Sequence, residues 1–68
     1  MSLRQAIHLF LQMPSHIKVG VMKSVGVFNE VDLSGGLHEW DKSFFTVVKQ
    51  YNLIDRFIYE VEQSGFTI

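Results

Sequence analysis

Apolar residues recur every three or four positions along most of the chain, the spacing of helices that bury one face. Ser2 is a favourable N-cap for the first such segment, which we predict to end near Gln12. Its apolar positions are Leu3, Ile7, Phe10 and Leu11.

A second helix is predicted after the Met13-Pro14 dipeptide. Proline disfavours helix in the residue before it and suits the start of a new helix, so this dipeptide reads as a corner. Gly26 can adopt the left-handed conformation that ends helices, and we expect it to cap the second one. The apolar stripe between these points consists of Ile17, Val21 and Val25.

The stretch 27–36 is rich in turn-forming residues, and we expect at most a single helical turn there. A long third helix follows and should end at Asn52, because asparagine tolerates the left-handed cap position. Its apolar face is predicted to contain Leu37, Trp40, Phe44, Val47, Val48 and Tyr51.

A last helix, marked by Ile54, Phe57, Ile58 and Val61, is predicted to end near Gly65. The tail 66–68 either docks on the core or leads into a further domain. We therefore predict an all-α fold: a small antiparallel bundle of four main helices with a short fifth, forming one domain over residues 1–68. Trp40 is expected to be the centre of the core, whose members are Ile7, Ile17, Val21, Trp40, Phe44, Val48, Phe57 and Val61.

Composition narrows the function classes. The chain has no cysteine, so no disulfide can staple it, and its 47% hydrophobic content must supply the core. A net charge of −1 argues against a general nucleic-acid binder. No apolar run is long enough to span a bilayer or to form a secretion signal, so we expect no membrane association and a cytoplasmic location.

Charge is divided unevenly along the chain. Residues 1–29 carry Arg4, Lys18 and Lys23 with no carboxylate, a net of +3. Residues 30–68 carry three basic residues against seven carboxylates, a net of −4. If the two halves show these charges on different sides, one copy can dock head to tail on another.

Two complementary faces are predicted from this division. On the last helix, Asp55, Tyr59 and Glu62 follow i, i+4, i+7 spacing and form an acidic interaction face. Arg56 and Glu60 should form a separate i, i+4 ion pair. Four apolar residues lie off the predicted core stripes and are surface candidates: Val19, Met22, Phe45 and Tyr59. The basic interaction face is predicted to contain Arg4, Lys18, Val19, Met22 and Lys23.

Catalytic and metal motifs are incomplete. His38-Glu39 begins like the HExxH zinc motif, but Lys42 occupies the position of the second histidine ligand. The other histidines, His8 and His16, have no partner at ligand spacing. Ser15-His16 and Ser43 lack an aimed base, and Ser34-Gly35-Gly36 lacks the lysine of a phosphate loop. We expect neither enzymatic activity nor a cofactor or metal.

The chain resembles the bacterial effector-associated, death-like domains. The resemblance covers most of residues 9–62, with Asn52-Leu53 where the family usually has glycine followed by leucine. The chain is also short for a full six-helix death fold. The matching positions are Met13-Pro14, Ile17, Val21, Val25 to Val27, Asp32-Leu33, Leu37, Phe44, Val48, Asn52-Leu53, Phe57 and Val61.

This resemblance implies a small adaptor that docks with itself or a related domain and thereby clusters an effector in bacterial defence. The alternative is a small helix-turn-helix DNA-binding protein, with Met13-Pro14 as the turn, although the second helix offers few side chains suited to base edges. A third possibility is an enzyme subunit or toxin–antitoxin partner, for which the sequence supplies no active group.

Overall fold

A computed structural model describes residues 1–67, apart from the side chains of Leu37 and His38. Over this part of the chain the fold is all-α, as the apolar spacing predicts. The elements are α1 (Leu3–Gln12), α2 (Ser15–Val25), a 3₁₀ turn (Phe28–Glu30), α3 (Leu37–Gln50) and α4 (Ile54–Gln63). The 3₁₀ turn is the short fifth helical element expected between residues 27 and 36.

The start of α1 is fixed by reciprocal side-chain caps. The Gln5 backbone N–H donates to the Ser2 hydroxyl at 3.2 Å, and the Ser2 backbone N–H donates to the Gln5 side-chain oxygen at 2.9 Å. This capping box satisfies two backbone donors that would otherwise lack partners. Ser2 is therefore the N-cap, as predicted.

The corner between α1 and α2 lies at Met13 and Pro14, both with extended backbone. The Pro14 carbonyl accepts hydrogen bonds from the backbone N–H groups of Ile17 and Lys18 and so begins α2. Met13 is buried and holds the corner against the core.

The ends of α2 and α3 both use a residue with positive φ. Gly26 has a φ of 97° and caps α2 as expected. Helix α3 ends at Gln50, and Asn52 follows with a φ of 56°. The Leu53 backbone N–H then reaches back to the Val48 carbonyl at 2.9 Å, which completes a Schellman-type end.

The loop before α3 is tied to that helix by side chains. The Trp40 indole N–H donates to the Leu33 carbonyl at 2.9 Å, and the Ser43 hydroxyl accepts from the Asp32 backbone N–H at 2.8 Å. Trp40 therefore anchors a loop at the edge of the core.

The centre of the core is a cluster of phenylalanine rings rather than Trp40, which is only half-buried. Ring centroids within the cluster lie 5.2–5.9 Å apart, in stacked, tilted and edge-to-face arrangements that aromatic pairs favour. The cluster consists of Phe10, Phe44, Phe45 and Phe57.

Most predicted core residues are buried: Val21, Phe44, Val48, Phe57 and Val61. Ile7 and Ile17 are half-buried and pack against the edge of the core. Phe66 also packs there, so this part of the tail docks, while Ile68 lies outside the described residues.

Two aromatic residues depart from their predicted positions. Phe45 belongs to the core cluster instead of the surface, because α1 and α4 cover the flank of α3 on which it lies. Tyr51 lies beyond the end of α3 and is exposed. Its hydroxyl donates to the Glu30 carboxylate, and this hydrogen bond raises the pKa of Tyr51 above its usual value.

Helix α4 contacts each of the other three helices. It runs antiparallel to α1. The Met1 ammonium, at the start of α1, lies 3.0 Å from the Glu62 carboxylate, near the end of α4. The Phe10 ring, near the end of α1, packs on the Phe57 ring, near the start of α4. The outer face of α4 consequently lies beside the outer face of α1.

Candidate interaction surface

The acidic strip of α4, formed by Asp55, Tyr59 and Glu62, is exposed along its length. The opposite face of the same helix buries Phe57 and Val61, so the helical repeat itself turns the strip outward. Tyr59 is 53% exposed, more than any other large apolar side chain in the described part of the chain. The strip thus presents an aromatic ring between two carboxylates, of which Glu62 also contacts the Met1 ammonium at 3.0 Å.

The predicted Arg56–Glu60 pair lies on a different flank of α4. The Arg56 Nε is 3.0 Å from the Glu60 carboxylate, and Arg56 Nη2 donates to the Ser24 carbonyl at 3.1 Å. This flank faces α2, so Arg56 fastens the two helices together and lies apart from the acidic strip.

The predicted basic face is wrong at two of its five residues. Lys18 is only 6% exposed and Met22 is completely buried. Both lie on the flank of α2 that packs inward, next to Val21 and Val25. The prediction failed because α2 is covered on a broader arc than a single apolar stripe indicates. Neither residue can contact a partner in this fold.

Lys18 is instead paired inside the molecule. Its ammonium lies 3.0 Å from the Asp41 Oδ2 and 5.3 Å from the centre of the Phe10 ring. The contact joins α2 to α3 across 23 residues of sequence. One positive charge of the N-terminal half is therefore neutralised by a carboxylate of the C-terminal half.

Asp41 is buried to the same degree as Lys18, and its second carboxylate oxygen, Oδ1, has no hydrogen-bond partner among the described residues. A buried charge is tolerated when it is paired, but an unsatisfied oxygen adds a desolvation cost. Sequence inspection missed Asp41, although it lies on the same helical face as Phe44 and Val48.

The other members of the predicted basic face remain accessible in varying degree. Arg4 is exposed on α1. Lys23 is exposed in the last turn of α2, and its ammonium lies 5.3 Å from the centre of the Phe28 ring. Val19 is half-buried and lines an open depression with Trp40. The two accessible basic residues therefore belong to different helices and do not form the single face predicted.

The outer face of α1 holds an open, largely apolar depression that includes Arg4. Arg4 and His8 are one helical turn apart, and the His8 Nε2 lies 3.3 Å from the Gln12 side-chain nitrogen. From the sequence, His8 was considered only as a catalytic or metal-binding candidate. The i, i+4 spacing of Arg4 and His8 in the sequence already indicated that both side chains lie on one face of α1. Its lining residues are Met1, Arg4, Gln5, His8 and Leu9.

The histidine, serine and carboxylate side chains that were considered as catalytic or metal-binding groups include several that make contacts within the fold. Among the residues that the structure describes, no three histidine or carboxylate side chains are grouped as metal ligands. The His38 side chain lies outside them. The Ser43 hydroxyl accepts a hydrogen bond from the Asp32 backbone N–H. The Asp32 carboxylate accepts one from the Ser34 backbone N–H at 3.0 Å, and this hydrogen bond lowers the pKa of Asp32.

Within the described part of the chain, no helix has the length and apolar character needed to cross a membrane. Comparison of the chain with protein-family models, with curated proteins and with solved structures finds no match.

Proposed function

We propose that this chain is a death-like interaction adaptor that associates with copies of itself and so brings effectors together, rather than an enzyme. The observation that carries the proposal is the acidic strip of α4. An exposed tyrosine flanked by carboxylates combines an aromatic anchor, a residue type common at binding hot spots, with charges that orient a partner.

The affinity of one contact is expected to be low. An exposed ion pair contributes about 0.2–1 kcal/mol, so two such pairs and one aromatic ring favour weak, reversible association. Several tethered copies act at high effective concentration, which converts weak contacts into clustering. Such a module suits recruitment of an effector in a defence response, the role that the death-like resemblance implies.

The helix-turn-helix alternative receives less support. It needs a basic surface around α2, and Lys18 is withdrawn from that surface by its contact with Asp41. Of the basic residues in the N-terminal half, only Arg4 and Lys23 are exposed, and they lie on different helices.

The proposal is tested by sedimentation of the purified chain over a range of concentrations up to about millimolar, where weak interfaces are populated. Tyr59→Ala and Asp55→Lys should each weaken self-association about tenfold, because each removes part of a small contact. Lys49→Glu, an exposed charge reversal on α3, is the matched control and should leave association unchanged. A wild-type chain that stays monomeric throughout contradicts the proposal.

A further inference from the structure

The exposed charges of this molecule do not form a positive pole and a negative pole on opposite sides. The exposed basic residue Arg4 lies on α1, and the acidic strip lies on α4, the helix against which α1 packs. The Met1 ammonium already contacts Glu62, so the first turn of α1 and the last turn of α4 are neighbours. Positive and negative groups therefore share one side of the molecule.

A surface that carries both signs side by side can be complementary to itself. In a contact with two-fold symmetry, residue i of one copy meets residue j of the other, and j meets i. A two-fold axis along the α1–α4 pair lays α1 of each copy over α4 of the other. Arg4 then faces the Glu62 end of the strip, and His8 faces the Asp55 end.

The apolar features of the two helices match in the same arrangement. Tyr59 projects from the middle of the acidic strip, and the depression on α1 is largely apolar between Met1 and Leu9. The exposed ring of Tyr59 on α4 of one copy thus lies over the apolar depression on α1 of the other copy. Burial of the ring supplies affinity, while the charges fix the orientation.

We propose that the occupant of this α1–α4 face is the same face of a second copy, giving a closed two-fold dimer instead of a head-to-tail chain. This inference rests on the proposed function, since it specifies how self-association occurs. Clustering beyond the dimer would then require tethering through other parts of an assembly.

The test compares two charge reversals of the same kind, Arg4→Glu on α1 and Lys23→Glu on α2. A two-fold contact loses two ion pairs for each substitution, so Arg4→Glu should weaken the dimer by about tenfold or more. Lys23→Glu, the control at the surface that a head-to-tail contact would use, should change the dissociation constant less than twofold.

Charge exchange then identifies the partner residue. Glu62→Arg alone should also weaken association, and mixing Glu62→Arg protein with Arg4→Glu protein should restore a dimer that contains one copy of each. Light scattering should show a mass that stops at two copies as concentration rises.

The outcomes separate this inference from the proposed function. Sensitivity to Lys23→Glu but not to Arg4→Glu, or a mass that grows beyond two copies, overturns the two-fold dimer and leaves self-association standing. Absence of any association up to about millimolar wild-type protein overturns both.

Discussion

At the scale of single residues, the Lys18–Asp41 pair is the least expected feature of the molecule. Transfer of both charges from water into the core is costly, and their attraction offsets that cost only when the geometry is good and the remaining lone pairs are satisfied. The 3.0 Å contact meets the first condition, but the unpartnered Asp41 Oδ1 does not meet the second. The pair is therefore better suited to fixing the position of α3 on α2 than to adding stability.

A double-mutant cycle tests whether the Lys18–Asp41 pair adds little net stability to the fold. Lys18→Met should destabilise the fold by about 3–5 kcal/mol, because it leaves the Asp41 carboxylate buried without a counter-charge. Asp41→Leu should have a similar effect through the Lys18 ammonium. The double variant, with two apolar side chains of suitable size, should regain most of the loss and approach or exceed wild-type stability.

Urea unfolding measures the three variants. Sucrose is added because a domain of this length has a total stability of only roughly 3–10 kcal/mol, and a loss of about 3–5 kcal/mol removes much or all of it. Single variants with the wild-type midpoint, or losses that simply add in the double variant, would show that the two side chains do not interact.

The sequence contained a signal for this pair. Lys18 has Val21, Met22 and Val25 at helical spacing, so a lysine interrupts an otherwise apolar flank. Asp41 interrupts the apolar face of α3 in the same way. Two opposite charges at core positions indicate a buried pair, but which charge meets which depends on how the helices pack, and the sequence does not encode that locally. Lys18 was assigned to the surface for this reason, whereas Met22 was misassigned because α2 is covered on a broader arc than a single apolar stripe indicates.

At the scale of secondary-structure elements, the helix ends were predictable because each depends on a few neighbouring residues. Ser2, Pro14, Gly26 and Asn52 act within one turn of their own position, through side-chain caps, a fixed φ or a tolerated positive φ. The buried flank of α2 was less predictable. Apolar residues surround much of this helix, and the neighbouring helices decide which of them are covered.

Two glycines, one inside α2 and one at its C-cap, give a matched test of backbone conformation. A Cβ added at either Gly20 or Gly26 meets no atom within 4 Å, so neither substitution creates a clash. Gly20 lies inside the helix, and Gly20→Ala should stabilise the fold by about 0.5–1 kcal/mol because alanine loses less backbone entropy. Gly26 has a φ of 97°, and Gly26→Ala should destabilise the fold by about 1–2 kcal/mol.

Thermal melts followed by circular dichroism should therefore shift in opposite directions for these two glycine variants. A shift of the same sign in both would mean that backbone conformation is not what distinguishes the positions.

At the scale of the whole molecule, the apolar spacing correctly indicated a small helical bundle, but not where its core is centred. Trp40 and Tyr51 have the spacing of buried residues, yet one anchors the loop before α3 and the other lies beyond the helix end. The phenylalanine cluster forms where α1, α3 and α4 converge. Helical periodicity identifies the face of each helix but not the point at which three faces meet.

The phenylalanine cluster should make unfolding a single cooperative event. Phe57 lies on α4, which contacts the other three helices, and its ring packs against three other phenylalanine rings. Phe57→Leu removes ring contacts in the core and should cost roughly 1–2 kcal/mol, which lowers the melting temperature by roughly 5–10 °C in a domain of this size. Leu11→Ala, at an exposed position of α1, is the control and should shift the melt much less.

Trp40 is the single tryptophan and lies outside the cluster, so its fluorescence reports the α3 edge while far-ultraviolet circular dichroism reports all helices. Both probes should move together in the Phe57→Leu variant; a Trp40 transition that stays at the wild-type temperature while helicity is lost would mean that the α3 edge does not depend on the cluster.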